Sequence, residues 1–327
     1  METASRRRKE NLLEPLLASR TALATSLMRA LHTRADPAPI LIDPWGDRLV
    51  SDSTRAAIRQ RALAAMTPEA QVVAADSPRS IVDDWLRGSA AYATVITRSR
   101  YAEDALHAAV SGGVRQYVLV GAGFDSYALR TPAAARHVEI FEVDHPATQG
   151  LKRQRLAECG VTVPDSVHFL AADLADETLD AVLSRSAFRP AEPAFFSWLG
   201  VTMYLPREAN LATLAAVARC ARAGSEIVFT YIDQEAFRSD PGSEGGSLAA
   251  LQQSVKSVGE PFLSGFDPHA LAQELLAVGL ELQEDLADAD LVQRYDAHGA
   301  NGLRPASRSR IARARVAGRR GFGRRSA

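Results

Sequence analysis

The sequence predicts an α/β fold: a mostly parallel, seven-stranded sheet flanked by helices, with a helical region added ahead of it. Three observations carry that expectation. From about Val114 onward, short apolar runs alternate with stretches of helical period. The first three runs stop at Gly121, Asp144 and Asp173, small or acidic residues suited to strand ends. Before that point the apolar residues recur only at helical spacing. Strand–helix alternation of this kind implies parallel strands with helices on both faces.

Taken in order, Thr21 to Leu31 places Leu23, Leu27, Met28 and Leu31 on a helical stripe. Ser53 to Met66 does the same with Ile58, Leu63 and Met66, after a loop marked by Asp36-Pro37 and Asp43-Pro44-Trp45-Gly46. Ile81 to Val110 reads as one further helical stretch carrying Trp85, Leu86, Tyr92, Ile96, Tyr101 and Leu106. Tyr117–Val120, Val138–Val143, Val167–Leu170, Phe195–Leu199 and Glu226–Tyr231 then read as strands, with helices over Lys152–Leu156 and Leu211–Ala221. Asp240 to Gly246 is Gly- and Ser-rich and reads as a loop. A helix over Pro268–Val278 leads to two alternating runs, Leu280–Leu286 and Ile311–Val316, the last strands. The expected division is a helical extension or lid over 1–112, a core over 113–317 and a basic tail over 318–327.

The composition excludes several function classes. Net charge is −1, so no global field draws the chain to nucleic acid or an anionic membrane. Cys159 and Cys220 are the only cysteines, too few for a disulfide framework and consistent with a reducing cytosol. Arg6-Arg7-Arg8-Lys9 precedes an apolar stretch broken by Glu14 and Pro15, unlike a secretory leader. No apolar run approaches the roughly 20 residues of a membrane helix. A cytoplasmic protein is expected. The histidines stand apart from carboxylates and thiols at ligand spacing, so no metal site is expected.

The chemistry gathers at three successive strand ends. In an open parallel sheet, ligands bind beyond the carboxyl ends of the strands. Glycines at 121 and 123 permit a sharp turn and close approach of backbone to a ligand. An acid about 20 residues further on suits a ribose diol, because one carboxylate accepts from both hydroxyls. Asp144 fills that place, and Asp173 at the next strand end can accept from an exocyclic amine such as that of adenine. A dinucleotide fingerprint would want a third glycine where Ser126 stands, and Asp125 would repel a pyrophosphate. A ligand with cationic sulfonium and ammonium groups fits that loop better.

Tyr117-Val-Leu-Val-Gly-Ala-Gly-Phe-Asp-Ser-Tyr-Ala-Leu-Arg130, followed by Phe141-Glu-Val-Asp-His-Pro-Ala-Thr-Gln149, resembles the leucine carboxyl methyltransferase-like family. Ile42-Asp-Pro-Trp45, Arg98-Ser-Arg-Tyr101, Ala172-Asp-Leu174 and Trp198-Leu-Gly-Val-Thr-Met-Tyr-Leu205 extend the likeness over about residues 20 to 316. The resemblance implies a class I methyltransferase (Rossmann-like) fold and S-adenosyl-L-methionine as cofactor. It makes Gly121 and Gly123 the cofactor turn and Asp144 the ribose carboxylate, with Asp173 and Leu174 at the adenine. It makes Arg100 the partner of the cofactor carboxylate, which a guanidinium fork matches bidentately; Arg98 is the competitor. Leu199 stands where members close to the eukaryotic enzymes carry glutamate, which weakens an expectation of a protein carboxyl terminus as acceptor.

Tyr204, after the fourth strand, and His145, beside the pocket, are the candidate catalytic groups. Each has a plainer reading: a buried Tyr with one hydrogen bond, and a His packed at a strand end. Asp144 and Asp173 are alternatively helix N-caps. The expected activity is O-methylation of a carboxylate or acidic hydroxyl on a small-molecule acceptor, since such groups need no strong base. Two competing readings remain: an NAD-dependent oxidoreductase, and a non-catalytic nucleic-acid binder using the arginines from Arg304 to Arg325. The alternation of Arg313 and Arg315 with apolar residues favours a solvated strand edge over the second.

Overall fold

The computed structural model describes residues 20–64, 66–67, 71, 78–237 and 261–318. The loop at 240–246, and the tail beyond residue 318, lie outside the described residues. The helical region holds α1 (Arg20–Ala35), the short α2 (Gly46–Leu49), α3 (Asp52–Ala64), α4 (Pro78–Arg87) and α5 (Tyr92–Ser111). The stretch expected as one helix over 81–110 is two, because the chain turns at Gly88-Ser89, where the Tyr92 N–H returns to the Ser89 carbonyl. The stripe Leu27, Leu31, Leu86, Ile96 and Phe124 builds the core of this region.

The sheet has seven strands in the order β3-β2-β1-β4-β5-β7-β6. They are β1 (Gln116–Val120), β2 (Glu139–Asp144), β3 (Val167–Ala171), β4 (Ala194–Trp198), β5 (Glu226–Ile232), β6 (Leu280–Ala287) and β7 (Ser309–Val316). The first five pair in parallel, and β7 runs antiparallel to both β5 and β6. Between them come α6 (Pro146–Glu158), α7 (Leu179–Ser184), α8 (Arg207–Cys220), α9 (Leu271–Ala277) and α10 (Asp288–Tyr295). Strands β1 and β4 are buried along their whole length, which is why they read as continuous apolar runs. Side chains alternate between two cores. Val118, Val120, Phe196 and Trp198 face one, with α7 and α8, while Tyr117, Leu119 and Phe195 face the other, with α5.

Arg315 on β7 pairs with Glu226 of β5 at 2.8 Å, and Arg313 stands 3.7 Å from the same carboxylate. Arg308 reaches Glu235 at 2.6 Å and Arg310 reaches Asp285 at 2.9 Å. These arginines, on and just before the last strand, are thus paired with carboxylates of the neighbouring strands and turn. Two buried ionic sites fasten helices. On β2, Glu142 meets Lys152 of α6 at 2.5 Å, both side chains 2% exposed. In the helical region, Asp36 takes bonds from His32, Arg87 and Tyr92, joining α1, α4 and α5. The His32 Nε2 accepts the Ile40 N–H at 2.9 Å, so its proton sits on Nδ1 and points at Asp36. No described helix is long and apolar enough to cross a membrane.

Candidate active site

Parallel register sets Val120 of β1 beside Val143 of β2, so Gly121 and Asp144 emerge together at the carboxyl edge of the sheet. A cleft of about 450 Å³ opens there. Its floor is the loop Gly121–Asp125 and its sides are Asp144, His145 and the Leu199–Val201 turn. Thr21, Ala22, Thr25 and Arg29 of α1 and Arg98 of α5 form the opposite wall.

The glycines are there for steric reasons. Gly121 has φ +68°, and a Cβ at that position would stand 2.4 Å from Cγ2 of Val201. Gly123 has φ +52° and faces Ala22 of α1, whose methyl would lie 3.1 Å from an added Cβ. The loop is then clamped from both ends. Asp144 accepts the Gly123 N–H through one oxygen and the His145 N–H through the other, at 2.6 Å. Arg29 donates to the Phe124 carbonyl at 2.7 Å and to Asp43 at 2.8 Å. Burial alone would raise the pKa of Asp43, but the Arg29 and Arg130 charges hold it below the usual value.

Burial raises the pKa of Asp144, against the opposing pull of the two N–H groups. Each carboxylate oxygen accepts one N–H here and has the capacity to accept a second hydrogen bond. Because only the ionised form accepts from both ribose hydroxyls, nucleoside affinity is expected to fall as pH drops, starting above the ordinary value of 3.8. Asp144→Asn should lose about tenfold in affinity at neutral pH and flatten that acid limb, the equivalent of one hydrogen bond of about 1.4 kcal/mol. Calorimetry against pH checks both; an acid limb surviving in the variant would move the titration to another group.

His145, not Asp144, caps α6: its Nδ1 accepts the Ala147 N–H at 3.2 Å. Its Nε2 lies 3.7 Å from Asp173. Asp173 spends one oxygen on the Ala175 N–H of its own turn, at 2.9 Å, and does not border the cleft. It stands behind His145, off the edge strand β3. Leu174 turns inward and packs on the core under the sheet. Neither residue expected at the adenine lines the cleft; Asp173 approaches it through His145.

Arg100 needs correcting. It lies on the outer face of α5, bonded to Asp104 at 2.9 Å and to the Ile40 carbonyl, and does not reach the cleft. Two residues along a helix is a turn of about 200°, so Arg98 points the other way. The guanidinium of Arg98 lies across Gly200, where a Cβ would stand 2.6 Å from its Nη2. Burial pushes its pKa down to about 10, with Tyr204 and Asp288 pulling upward and Arg29 adding to the fall. Its side chain is partly buried and lines the cleft. A guanidinium fork facing the cleft is a ready partner for a carboxylate. Arg29 and Thr25 also line the site and carried no signal in the sequence, while Gly200 was read only as part of the family-like segment 198–205. Among the described residues, no cluster of three His, Cys, Asp or Glu side chains is placed to hold a metal.

The fold and the cleft together define a class I methyltransferase, and the comparisons give the family. Residues 22–218 match the leucine carboxyl methyltransferase family. YktD of Bacillus subtilis (strain 168), named as a candidate S-adenosyl-L-methionine-dependent methyltransferase, is 30% identical over 279 residues, 84% of this chain and 90% of that protein. A similarly named protein of Mycolicibacterium smegmatis is 29% identical over 246 residues, 75% of this chain and 77% of its own. Among solved structures, a DUF574-family protein of Streptomyces avermitilis shares the fold at a TM-score of 0.53 and 18% identity, covering 82% of this chain and 98% of that one. A candidate methyltransferase of Thermobifida fusca does so at 0.51 and 14%, covering 74% and 88%. The chain belongs to the leucine carboxyl methyltransferase family and is a methyltransferase.

Proposed function

We propose that the chain transfers a methyl group from S-adenosyl-L-methionine to the oxygen of a carboxylate or acidic hydroxyl on a small acceptor. The cofactor supplies an electrophilic methyl on a sulfonium. Gly121 and Gly123 let the backbone approach it, Asp144 takes its ribose, and Arg98 takes its carboxylate. His145 and, behind it, Asp173 serve the adenine end.

The observation that carries the acceptor class is what stands at the other end. Arg98, Gly200 and Tyr204 line both the cleft and a second, smaller cavity, and so mark where acceptor and cofactor meet. A guanidinium and a phenol stand at that junction with Thr21 and Thr25, whereas the His145 ring is engaged in capping α6 beside Asp173. An acceptor already ionised needs no proton removed. The work left to the protein is alignment, holding oxygen and methyl carbon about 3 Å apart. Tyr204 is the candidate to orient the acceptor oxygen.

The test is incubation with methyl-labelled cofactor and a panel of carboxylic acids, phenols and amines, with products identified by mass spectrometry. Methyl esters or ethers are expected. Label found on nitrogen in preference to oxygen would overturn the reading.

A further inference from the structure

The second cavity says what the body of the acceptor is made of. It measures about 60 Å³ and runs from the cleft towards the ends of β5 and β7. Val95, Met203, Ile232 and Phe262 form its apolar walls, and the Phe262 ring sets its edge against Tyr204 at 5.4 Å.

Several of the polar groups that line it are engaged with other parts of the protein. Thr94 donates to Asp288 at 2.7 Å. The Thr230 hydroxyl accepts the Gly200 N–H at 2.7 Å, and its carbonyl accepts the Thr202 hydroxyl at 2.6 Å. Tyr231 donates to Asp285 at 3.0 Å, and the same carboxylate neutralises Arg310. Arg98 stands at the mouth with Thr21, Thr25 and Tyr204, which line the cleft as well. An amide, amine or hydroxyl carried inside would lose its water and find poor compensation. The volume is also well below the roughly 150 Å³ of a cavity that admits benzene.

Resting on the methyl-transfer reading above, we infer that the acceptor is a short aliphatic acid whose body is free of hydrogen-bonding groups. Its hydrocarbon lies in this cavity and its carboxylate at the mouth beside Tyr204, next to the guanidinium edge that the cofactor carboxylate leaves free. In the reaction a carboxylate oxygen forms a bond to the methyl carbon as the carbon–sulfur bond breaks. The electron pair stays on sulfur, which becomes a neutral thioether, and no proton moves. One negative and one positive charge disappear, so the low polarity of the cavity favours the step.

The experiment uses the full chain with acetate, propionate, isobutyrate, isovalerate, benzoate, N-acetyl-leucine and a short peptide ending in leucine. Binding of each to the protein saturated with S-adenosylhomocysteine is read by saturation-transfer NMR, and ester formation by mass spectrometry. Affinity should rise about fourfold per added methylene until the cavity is full. Benzoate and both amide-bearing probes should trail isovalerate by about tenfold or more. Phe262→Ala should extend the series to longer chains; if that variant does not fold, the wild-type series decides alone. Equal or better use of the peptide or of benzoate overturns the inference and leaves methyl transfer standing. So does cofactor binding, seen by calorimetry, with no aliphatic acid bound or esterified. Failure of the cofactor itself to bind removes both.

Discussion

Lys152→Met is expected to lower the unfolding free energy by about 3–5 kcal/mol, the range for stripping one partner from a buried ion pair. Lys152 and Glu142 have almost no access to water, so neither charge has an alternative to the other. Burial raises the pKa of Glu142 even with the ammonium beside it. Without Lys152 the rise must be larger. A carboxyl whose folded pKa exceeds its unfolded value favours the fold at low pH, and that advantage is lost as pH climbs through the folded value. The variant should therefore lose most at neutral pH and approach wild type as pH falls towards 4.5, the ordinary Glu value. Denaturant titrations at several pH values measure this. A deficit independent of pH would mean that lost packing of the lysine stem, not the stranded carboxylate, is responsible.

Arg98→Met should weaken S-adenosyl-L-methionine by roughly 10- to 150-fold while leaving 5′-methylthioadenosine unchanged. The range follows from about 1.5–3 kcal/mol for hydrogen bonds to a charged partner. The contrast between the two ligands isolates the amino-acid end, because the nucleoside is common to both. Arg100→Met is the control: its ion pair with Asp104 is about 40% exposed on both sides and should matter little to either ligand. An equal loss for both ligands in Arg98→Met would remove this guanidinium from the carboxylate.

Much of the cleft was legible because its residues are constrained locally. Gly121 and Gly123 hold positive φ at the end of a buried strand, and Asp144 follows at the end of the next, so type and spacing suffice. The arginine was not legible in that way. Helix α5 buries residues around much of its circumference, from Thr94 and Val95 to Tyr101 and Ala105. Periodicity therefore could not say whether position 98 or 100 faced the sheet. The distance of Asp173 from the cleft was illegible for a related reason: a strand end on an edge strand looks the same in sequence as one directly over the cleft. The insertion of β7 between β5 and β6 depends on pairings between distant segments, such as Glu226 with Arg315, which no local pattern encodes. Helix α10 went unread because only eight residues separate the end of β6 from the turn after it.

Arg29 of α1 grips the carbonyl of Phe124, one residue past the second glycine. Recognition of the donor and enclosure of whatever it reacts with are therefore expected to be coupled, since a helix that lines the chamber is bonded to the loop beneath. Saturation with the spent donor should slow amide exchange through residues 20–35 as well as in the glycine turn, by the reciprocity that governs any pair of linked equilibria.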